Sequence, residues 1–344
     1  MIHISAERLQ AIVTEVFEAA GVPSETASEV AMSLVEGNLM GHDSHGVLRV
    51  GFYVDAIRDG RLDPRGELTV LRESATTALL DGGRNFGPVT ARKAMDYAMA
   101  KAREHDLGMV AIRNCGHTGR LGQYAVQAAR AGFIGMVFSF GSVKGGTVAP
   151  YLGTSRALNT NPIAWAIPAA THPPVFMDYA TSVVAQGKIQ AAVDKGVRIP
   201  EGWLLDAQGR PTTDPSEQMR GGVMLPFGAH KGYCLAFMIE AVAGGLTGVG
   251  CSAFPTFTPD FPTVMLAVNI AAFQPLEQFC QMVDELITIV KAGRKAPGVE
   301  EILVPGEPEW RAREKHLREG LDLPEATWQR IVDAGAKCGL KVAL

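Results

Sequence analysis

The chain has 344 residues, of which 47% are hydrophobic and 20% charged, and its formal net charge is −4. This composition is typical of a soluble globular protein of two or three domains, without a basic patch for nucleic acid or an anionic membrane. No uninterrupted apolar stretch is long enough to span a bilayer, and the first residues do not resemble a secretory signal. The five cysteines form no C-x-x-C pair. We therefore expect a cytoplasmic protein with reduced thiols.

Apolar periodicity predicts helical segments at both ends of the chain and an α/β region between them. The predicted helices cover residues 5–20, 24–40, 44–60, 88–105, 120–131, 232–247 and 276–292, with further helices in 308–340. The predicted extended segments cover residues 68–80, 109–113, 133–140, 162–168, 175–179 and 263–270. Residues 109–140 form a β-loop-α-β unit, which taken alone favours parallel strand pairing.

The first motif with chemical potential is Ser44-His45-Gly46, at the start of the third predicted helix. His45, Arg49 and Tyr53 follow one another at intervals of four residues, so they would share one helical face. An imidazole can exchange a proton with a carbonyl, and a guanidinium can hold a carboxylate through two hydrogen bonds. The pattern predicts a site for a small acid with a carbonyl or hydroxyl beside its carboxylate. The alternative is a solvated helix face capped by Ser44.

A second candidate is His117, in the loop 114–119 between a predicted strand and a predicted helix. The helix N-terminus favours an anion or a polar ligand, and His117 could exchange a proton with it. Alternatively, His117 hydrogen-bonds its own turn. Cys115 has no basic neighbour in the sequence, so we expect it to be a buried, inert thiol.

Two further residues lie at the ends of predicted elements. Asp178 ends an apolar strand and either orients His45, with Ser44 as the third member of a relay, or caps its own turn. Lys231 precedes the helix 232–247, where the helix dipole disfavours a cation unless an anion lies between them. A bound phosphate would explain Lys231 and indicates a nucleotide cofactor, whereas the alternative is a lysine that extends into water. There is no G-x-G-x-x-G, so a dinucleotide site would not be of the Rossmann type.

A metal site is a more distant possibility. His42, Asp43, His45 and His117 could supply ligands for a metal-dependent hydrolase. Ligands at such close spacing in the chain converge poorly, so we expect no metal.

Six short motifs occur in a fixed order: Ser44-His45-Gly46 with Arg49, residues 114–119, Thr160-Asn161-Pro162, residues 178–182, His230-Lys231-Gly232, and residues 304–307. Together they resemble the malate/L-lactate dehydrogenase-like family of NAD(P)-dependent oxidoreductases, the sulfolactate dehydrogenase type. The resemblance implies an α/β, non-Rossmann fold in which a mixed, largely antiparallel sheet is flanked by helices. This expectation replaces the parallel pairing suggested by residues 109–140. A homodimer with NAD or NADP as cofactor is also implied.

The resemblance further implies a division of the chain and a set of roles. Residues 1–60 and 295–344 would form a helical dimerisation domain, 61–118 a substrate-side α/β segment, and 119–294 the NAD(P)-binding domain. The protonated His45 would donate to the substrate, with Ser44 and Asp178 as relay partners, or His117 would act instead. Arg49 and Tyr53 would contact the substrate. The implied cofactor contacts are Met177, Asp178, Tyr179, Ala180, Thr181, His230, Lys231, Gly306 and Glu307.

The activity expected from this resemblance is hydride transfer between NAD(P)H and a small 2-oxo or 2-hydroxy acid, of the malate, lactate, sulfolactate or ureidoglycolate kind. One alternative is the reduction of a cyclic imine acid such as a piperideine- or pyrroline-2-carboxylate. Two others, from different classes, are the metal-dependent hydrolase and a non-catalytic nucleotide-binding protein.

Overall fold

The computed structural model describes residues 1–344, except for the side chains of residues 194 and 195. The helices are α1 (Ala6–Ala19), α2 (Ser24–Leu39), α3 (Val50–Arg58), α4 (Gly87–His105), α5 (Gly122–Arg130), α6 (Gln186–Lys195), α7 (His230–Thr247), α8 (Leu276–Lys291), α9 (Glu307–Glu319) and α10 (Glu325–Lys337). The strands are β1 (Ile2–Ile4), β2 (Thr69–Glu73), β3 (Thr77–Asp81), β4 (Leu107–Arg113), β5 (Phe133–Ser139), β6 (Ile163–Ile167), β7 (Val175–Tyr179), β8 (Leu204–Leu205), β9 (Pro211–Thr212), β10 (Val223–Met224), β11 (Thr263–Asn269) and β12 (Leu321–Leu323).

The central sheet has seven strands in the order β2-β3-β4-β11-β5-β6-β7. Only β3 and β4 pair in parallel, and every other neighbouring pair is antiparallel. The mixed, largely antiparallel sheet is therefore confirmed. The unit at residues 109–140 exists as β4-α5-β5, but its two strands do not pair directly. β11 lies between them and is antiparallel to both.

The two ends of the chain fold together. β1 pairs with β12, and side chains of α1, α3 and α10 share one hydrophobic core that includes Leu9, Phe17, Tyr53 and Ile331. A second core lies between the sheet and the helices α4 and α5. The domain boundaries at residues 60, 118 and 294 stay a prediction. Of the helices that the structure describes, none has both the length and the apolar composition that crossing a membrane requires.

The region predicted as a helix over residues 44–60 differs from that expectation. Two 3₁₀ turns, Asp43–His45 and Val47–Arg49, precede α3, which begins at Val50. Glycine at position 46 separates the two turns, so His45 lies before the helix and shares no helical face with Tyr53. Tyr53 itself is fully buried within the apolar stripe. The sequence analysis also left out β1, β12 and the small sheet β10-β8-β9, because strands this short carry little periodic signal. It left out the helix α6 as well.

Candidate active site

The turn that carries His45 is positioned by a buried asparagine on α2. The Asn38 side chain donates to Asp43 Oδ1 (2.7 Å) and accepts from the backbone N–H of Val47 (2.8 Å). Its amide packs directly on Gly46, where any Cβ would overlap it. Glycine is therefore required at position 46. Asn38 lies outside the motif that it organises, and sequence reasoning missed it.

His45 and His117 meet as a pair of imidazoles. Their rings are stacked, with centroids 5.8 Å apart and an interplanar angle of 13°. Ser44 Oγ lies 3.0 Å from His45 Nδ1, and Tyr53 Oη lies 3.0 Å from His117 Nδ1. Each Nδ1 therefore has a hydroxyl partner. Both Nε2 atoms are without a hydrogen bond to any residue that the structure describes, so they are available to a ligand. Tyr53 thus supports His117 from within the core.

The loop that carries His117 is held by Asp260, which lies after α7. The Asp260 carboxylate accepts from the backbone N–H groups of Asn114 (2.7 Å), Cys115 (3.0 Å) and Phe261 (2.7 Å). The edge of the Phe261 ring packs against His117, with centroids 5.3 Å apart. Cys115 is buried, and burial raises the pKa of its thiol to about 12, in agreement with the expected inert thiol. Asp260 is distant in the chain and has no local sequence signal.

Arg49 lies close to both imidazoles. Its Nε donates to the backbone carbonyl of Ser44 (2.8 Å), which fixes the guanidinium plane. The two Nη groups make no hydrogen bond within the described part of the chain. This arrangement leaves a fork that can hold a carboxylate beside the imidazole pair.

Both imidazoles are neutral at pH 7 in the free site. Burial lowers the pKa of His45 to about 3, and the charges of Arg49, His42 and Arg120 lower it further. Burial, and then the charge of Arg49, lowers the pKa of His117 well below its ordinary value. In the site without substrate the lowered pKa favours a neutral His45, because the ring is buried and the charges that face it are cations. Proton donation by His45 to a bound substrate stays a prediction.

Asp178 makes no hydrogen bond or ion pair with His45. Its Oδ2 accepts from the backbone N–H of Gly122 (2.7 Å), at the first turn of α5. Among the described side chains, no hydrogen bond joins Asp178 to His45 or Ser44. The expected role of Asp178 as a relay partner of His45 is therefore wrong, whereas Ser44 does contact His45. The anion predicted at this helix N-terminus is the protein's own carboxylate. Burial raises the pKa of Asp178, and the charge of Arg120 opposes that rise.

The expected cofactor segments at β7 and α7 lie side by side. Phe227 N–H donates to the Thr181 carbonyl (3.0 Å), and the Phe227 ring packs edge-on against Tyr179. α7 then begins at His230, after Ala229, whose φ of +55° and ψ of −116° form a strained backbone for a residue with a Cβ. Lys231 is exposed and has no ion pair with the residues described here. These segments thus form one continuous surface.

The other expected cofactor contacts lie on β7 or near it. Met177 pairs with Trp165 of β6, and Ala180 follows the strand. Beyond these two, Gly306 is buried against the Phe176 ring, with no room for a Cβ. The Glu307 carboxylate accepts from Lys291 Nζ and from the Val304 N–H (3.1 Å), and it also pairs with Arg311. Its oxygens are thus used inside the protein, and a cofactor contact there stays a prediction.

The residues proposed as metal ligands do not assemble. Within the described residues, no three His, Cys, Asp or Glu side chains come together as a metal site. Asp43 bonds Asn38, and His42 Nε2 faces Glu309 Oε1 at 3.5 Å. The arrangement of the described residues therefore gives no support to the metal-dependent hydrolase alternative.

Sequence reasoning missed Arg120, which immediately precedes Leu121 at the start of α5. The residue is only 6% exposed, and its Cζ lies 5.6 Å from the centroid of the Phe176 ring. Its charge contributes to the lowered pKa of His45. A cation at a helix N-terminus is the signal that identified Lys231, and the same argument would have found Arg120.

Comparisons with known proteins agree with this geometry. Residues 4–332 match the family model described as malate/L-lactate dehydrogenase. The chain is 37% identical to an L-sulfolactate dehydrogenase of Methanothermobacter thermautotrophicus, over 96% of this chain and 95% of the relative. The crystal structure of malate dehydrogenase from Entamoeba histolytica superposes with a TM-score of 0.92 at 28% identity, covering 100% of this chain and 99% of that one. A Δ1-piperideine-2-carboxylate reductase from Pseudomonas syringae has a TM-score of 0.85 at 26% identity, with 97% and 100% coverage. The chain therefore belongs to the malate/L-lactate dehydrogenase family of oxidoreductases.

Proposed function

We propose that this protein catalyses reversible hydride transfer between a nicotinamide dinucleotide and the α-carbon of a small 2-oxo or 2-hydroxy acid. One observation carries the proposal: the imidazoles of His45 and His117 are stacked, and the guanidinium of Arg49, whose charge acts on both rings, keeps its two Nη groups without a hydrogen bond to the described residues. The relatives that the chain matches include malate and sulfolactate dehydrogenases, and the activities in their names support the same reaction class.

The residues divide the work by their chemistry. Arg49 holds the substrate carboxylate through its two Nη groups. A neutral imidazole then accepts the hydroxyl proton at Nε2 in the oxidative direction and returns it to the developing alkoxide in the reductive direction. The hydroxyl groups of Ser44 and Tyr53 hold each ring through Nδ1 and fix its orientation. Binding a carboxylate to Arg49 also offsets the positive charge that lowers the pKa of His45.

The surface at the start of α7 fits an anionic cofactor. The strained Ala229 and Lys231, whose ammonium has no ion pair with the described residues, stand at the N-terminus of α7. A phosphate bound there would be stabilised by the helix N-terminus and by the ammonium. The segment 177–181 borders this surface, and with His230 and Lys231 it would hold NAD or NADP. The bound dinucleotide would supply or accept the hydride. Fluorescence titration with NADH and with NADPH identifies the cofactor.

The first test is substitution of the imidazoles. We expect His45→Gln to lower kcat by about 10²- to 10⁴-fold while the Kd for the reduced cofactor stays unchanged, because the ring acts on the proton and not on the dinucleotide. His117→Gln is measured in the same way, and the substitution that causes the larger loss of kcat identifies the residue that is the main proton acceptor. His105→Gln, at the distant end of α4, is the matched control. Full turnover in both active-site variants would contradict the proposal.

A second candidate reaction is the reduction of a cyclic imine acid. The piperideine-carboxylate reductase that shares this fold supports it. A panel of pyruvate, oxaloacetate, sulfopyruvate, ureidoglycolate and piperideine-2-carboxylate decides between the two. Any turnover rejects a non-catalytic nucleotide-binding protein, and turnover that EDTA does not affect rejects the hydrolase.

The proposal also includes a cytoplasmic homodimer that binds neither nucleic acid nor membrane. All five cysteines are free, as in a reducing compartment. α7 exposes several large apolar side chains, among them Phe237 (53%), Met238 (57%) and Leu246 (49%), which a second subunit would cover. Light scattering after gel filtration tests this, and a monomer at micromolar concentration would contradict it.

A further inference from the structure

The helix α6 packs directly on the turn that carries His45. Gly187 is the second residue of this helix. A Cβ added at Gly187 would lie 2.8 Å from Ser44 Cβ, and the three nearest atoms that it would meet all belong to Ser44. Because packed carbon atoms lie about 3.5–4.0 Å apart, a side chain at this position would displace Ser44 or α6 by about 1 Å.

Ser44 in turn holds both of the groups that the proposed reaction uses. Its Oγ lies 3.0 Å from His45 Nδ1, and its backbone carbonyl accepts from Arg49 Nε (2.8 Å). A displacement of Ser44 would therefore change the orientation of the imidazole and of the guanidinium together. The helix α6 thus stands at the start of a chain of contacts that ends at the reacting groups.

The turn has little room to absorb such a displacement, because α2 holds it closely as well. A Cβ added at Gly37 would lie 2.9 Å from the His45 carbonyl oxygen. The Asn38 side chain forms hydrogen bonds with the Asp43 side chain (2.7 Å) and with the Val47 N–H (2.8 Å). A methyl group added on α6 would therefore strain a turn that is already fixed by α2.

The helix α6 is itself anchored in a hydrophobic core. Ile189 is fully buried and Ala192 is 8% exposed, and both belong to a core that includes Ala236 of α7. Just before the helix, the Val183 N–H donates to the Leu225 carbonyl (2.8 Å). A shift of α6 away from Ser44 would therefore disturb packing against the helix whose first turn carries Lys231.

We propose that Gly187 is a positioning residue, which lets α6 pack on Ser44 and thereby orients His45 for proton transfer and Arg49 for carboxylate binding. This inference rests on the proposed function and gives α6 a part in it. Gly187 acts through Ser44 and not through contact with the substrate or the cofactor.

The test is a substitution that helix propensity alone would favour, since alanine is better than glycine inside an unobstructed helix. We expect Gly187→Ala to lower kcat by about 10- to 100-fold, because a misplacement of about 1 Å in a reacting group can cost about 100-fold. The Kd for the reduced cofactor should stay unchanged. Gly245→Ala, at a position in α7 where a Cβ meets nothing within 4 Å, is the matched control and should keep the wild-type kcat.

A double-mutant cycle separates the contact with Ser44 from any other effect of the alanine. In a Ser44→Gly background the opposing Cβ is absent, so the addition of Gly187→Ala should cause no further loss of kcat. In a Ser44→Ala background the Cβ is present without the hydroxyl, so Gly187→Ala should still lower kcat. An equal loss in the wild type and in the Ser44→Gly background would overturn the inference, and so would a Gly187→Ala variant with the wild-type kcat.

A measurement that needs no turnover distinguishes failure of this inference from failure of the proposed reaction. Long-range proton–nitrogen NMR correlation spectra report the histidine ring nitrogens, and His45→Gln identifies the signals of His45. We expect Gly187→Ala to shift these signals and to leave those of His172, which precedes β7, in place. Unshifted His45 signals overturn the inference. Shifted signals in a protein that transfers no hydride contradict the proposed reaction instead, and leave α6 as the element that positions the turn.

Discussion

At the scale of single residues, the site is defined by which charges face the imidazoles. Arg49 lies near both rings, and Arg120 adds to the field at His45. The motif Ser44-His45-Gly46 and the loop residue His117 could be identified from the sequence, because each stands at a short, polar break between apolar segments. The protonation state of the two rings could not be identified, because it depends first on their burial in the fold and then on cations from two separate segments of the chain. The role given to Asp178 failed for the same reason, since its actual partner is the N–H of Gly122 on another element.

Arg49 provides a direct test at this scale. We expect Arg49→Lys to raise KM for carboxylate substrates by at least about tenfold, because an ammonium cannot reproduce the two parallel hydrogen bonds of the fork. Steady-state kinetics with the best substrate of the panel measures this effect. Arg58→Lys, on the exposed end of α3, should leave KM unchanged. If Arg49→Lys behaves like that control, Arg49 does not hold the carboxylate.

At the scale of elements, α7 shows how a short motif acts through packing. The buried carboxylate of Glu240 accepts from Asn161 Nδ2 (2.9 Å) and from the backbone N–H of Ser252 (2.6 Å). Asn161 belongs to the Thr160-Asn161-Pro162 motif and also donates to the Ala236 carbonyl (2.9 Å). The motif therefore attaches the start of β6 to α7, the helix whose first turn carries Lys231. The extent of α7 followed from its apolar run, but this attachment has no local signal.

Adjacent glycines in α7 give opposite expectations. An alanine Cβ at Gly245 meets nothing within 4 Å, so Gly245→Ala should raise the free energy of unfolding by about 0.5–1 kcal/mol. At Gly244 the same Cβ would overlap the backbone carbonyl of Gly250. Gly244→Ala should therefore lower the free energy of unfolding, by about 1–3 kcal/mol. Urea unfolding of both variants measures the difference. Equal effects at the two positions would show that the turn at Gly250 does not pack on the helix as described.

At the scale of the whole molecule, the two imidazoles make stability depend on pH. Their pKa values are lowered in the folded state, His45 to about 3, while the unfolded chain has the ordinary value of about 6.5. Below pH 6.5 the unfolded state therefore binds more protons, and this contribution to stability falls as the pH falls towards the folded-state value. At pH 7 and above, both states are neutral at these rings and the effect is absent.

We expect the free energy of unfolding of the wild type to decline more steeply between pH 6.5 and 4.5 than that of the double variant His45→Gln/His117→Gln. Urea unfolding at a series of pH values measures the two slopes. His105→Gln, whose ring lies on the surface, should keep the wild-type slope. Parallel curves for the double variant and the wild type would mean that the rings are protonated in the folded state.

The order of the central sheet could not be derived from the local β4-α5-β5 unit, because the strand that separates β4 from β5 is encoded far downstream. This topology has a consequence during synthesis on the ribosome. β11 (Thr263–Asn269) is the strand that joins β2-β3-β4 to β5-β6-β7, so before it emerges neither set of strands has its partner along that edge, and any half-sheet formed earlier would have a bare hydrogen-bonding edge. Chains stalled before residue 263 should therefore be sensitive to protease and prone to aggregate. Resistance to protease should appear only once β11 has joined the two parts of the central sheet.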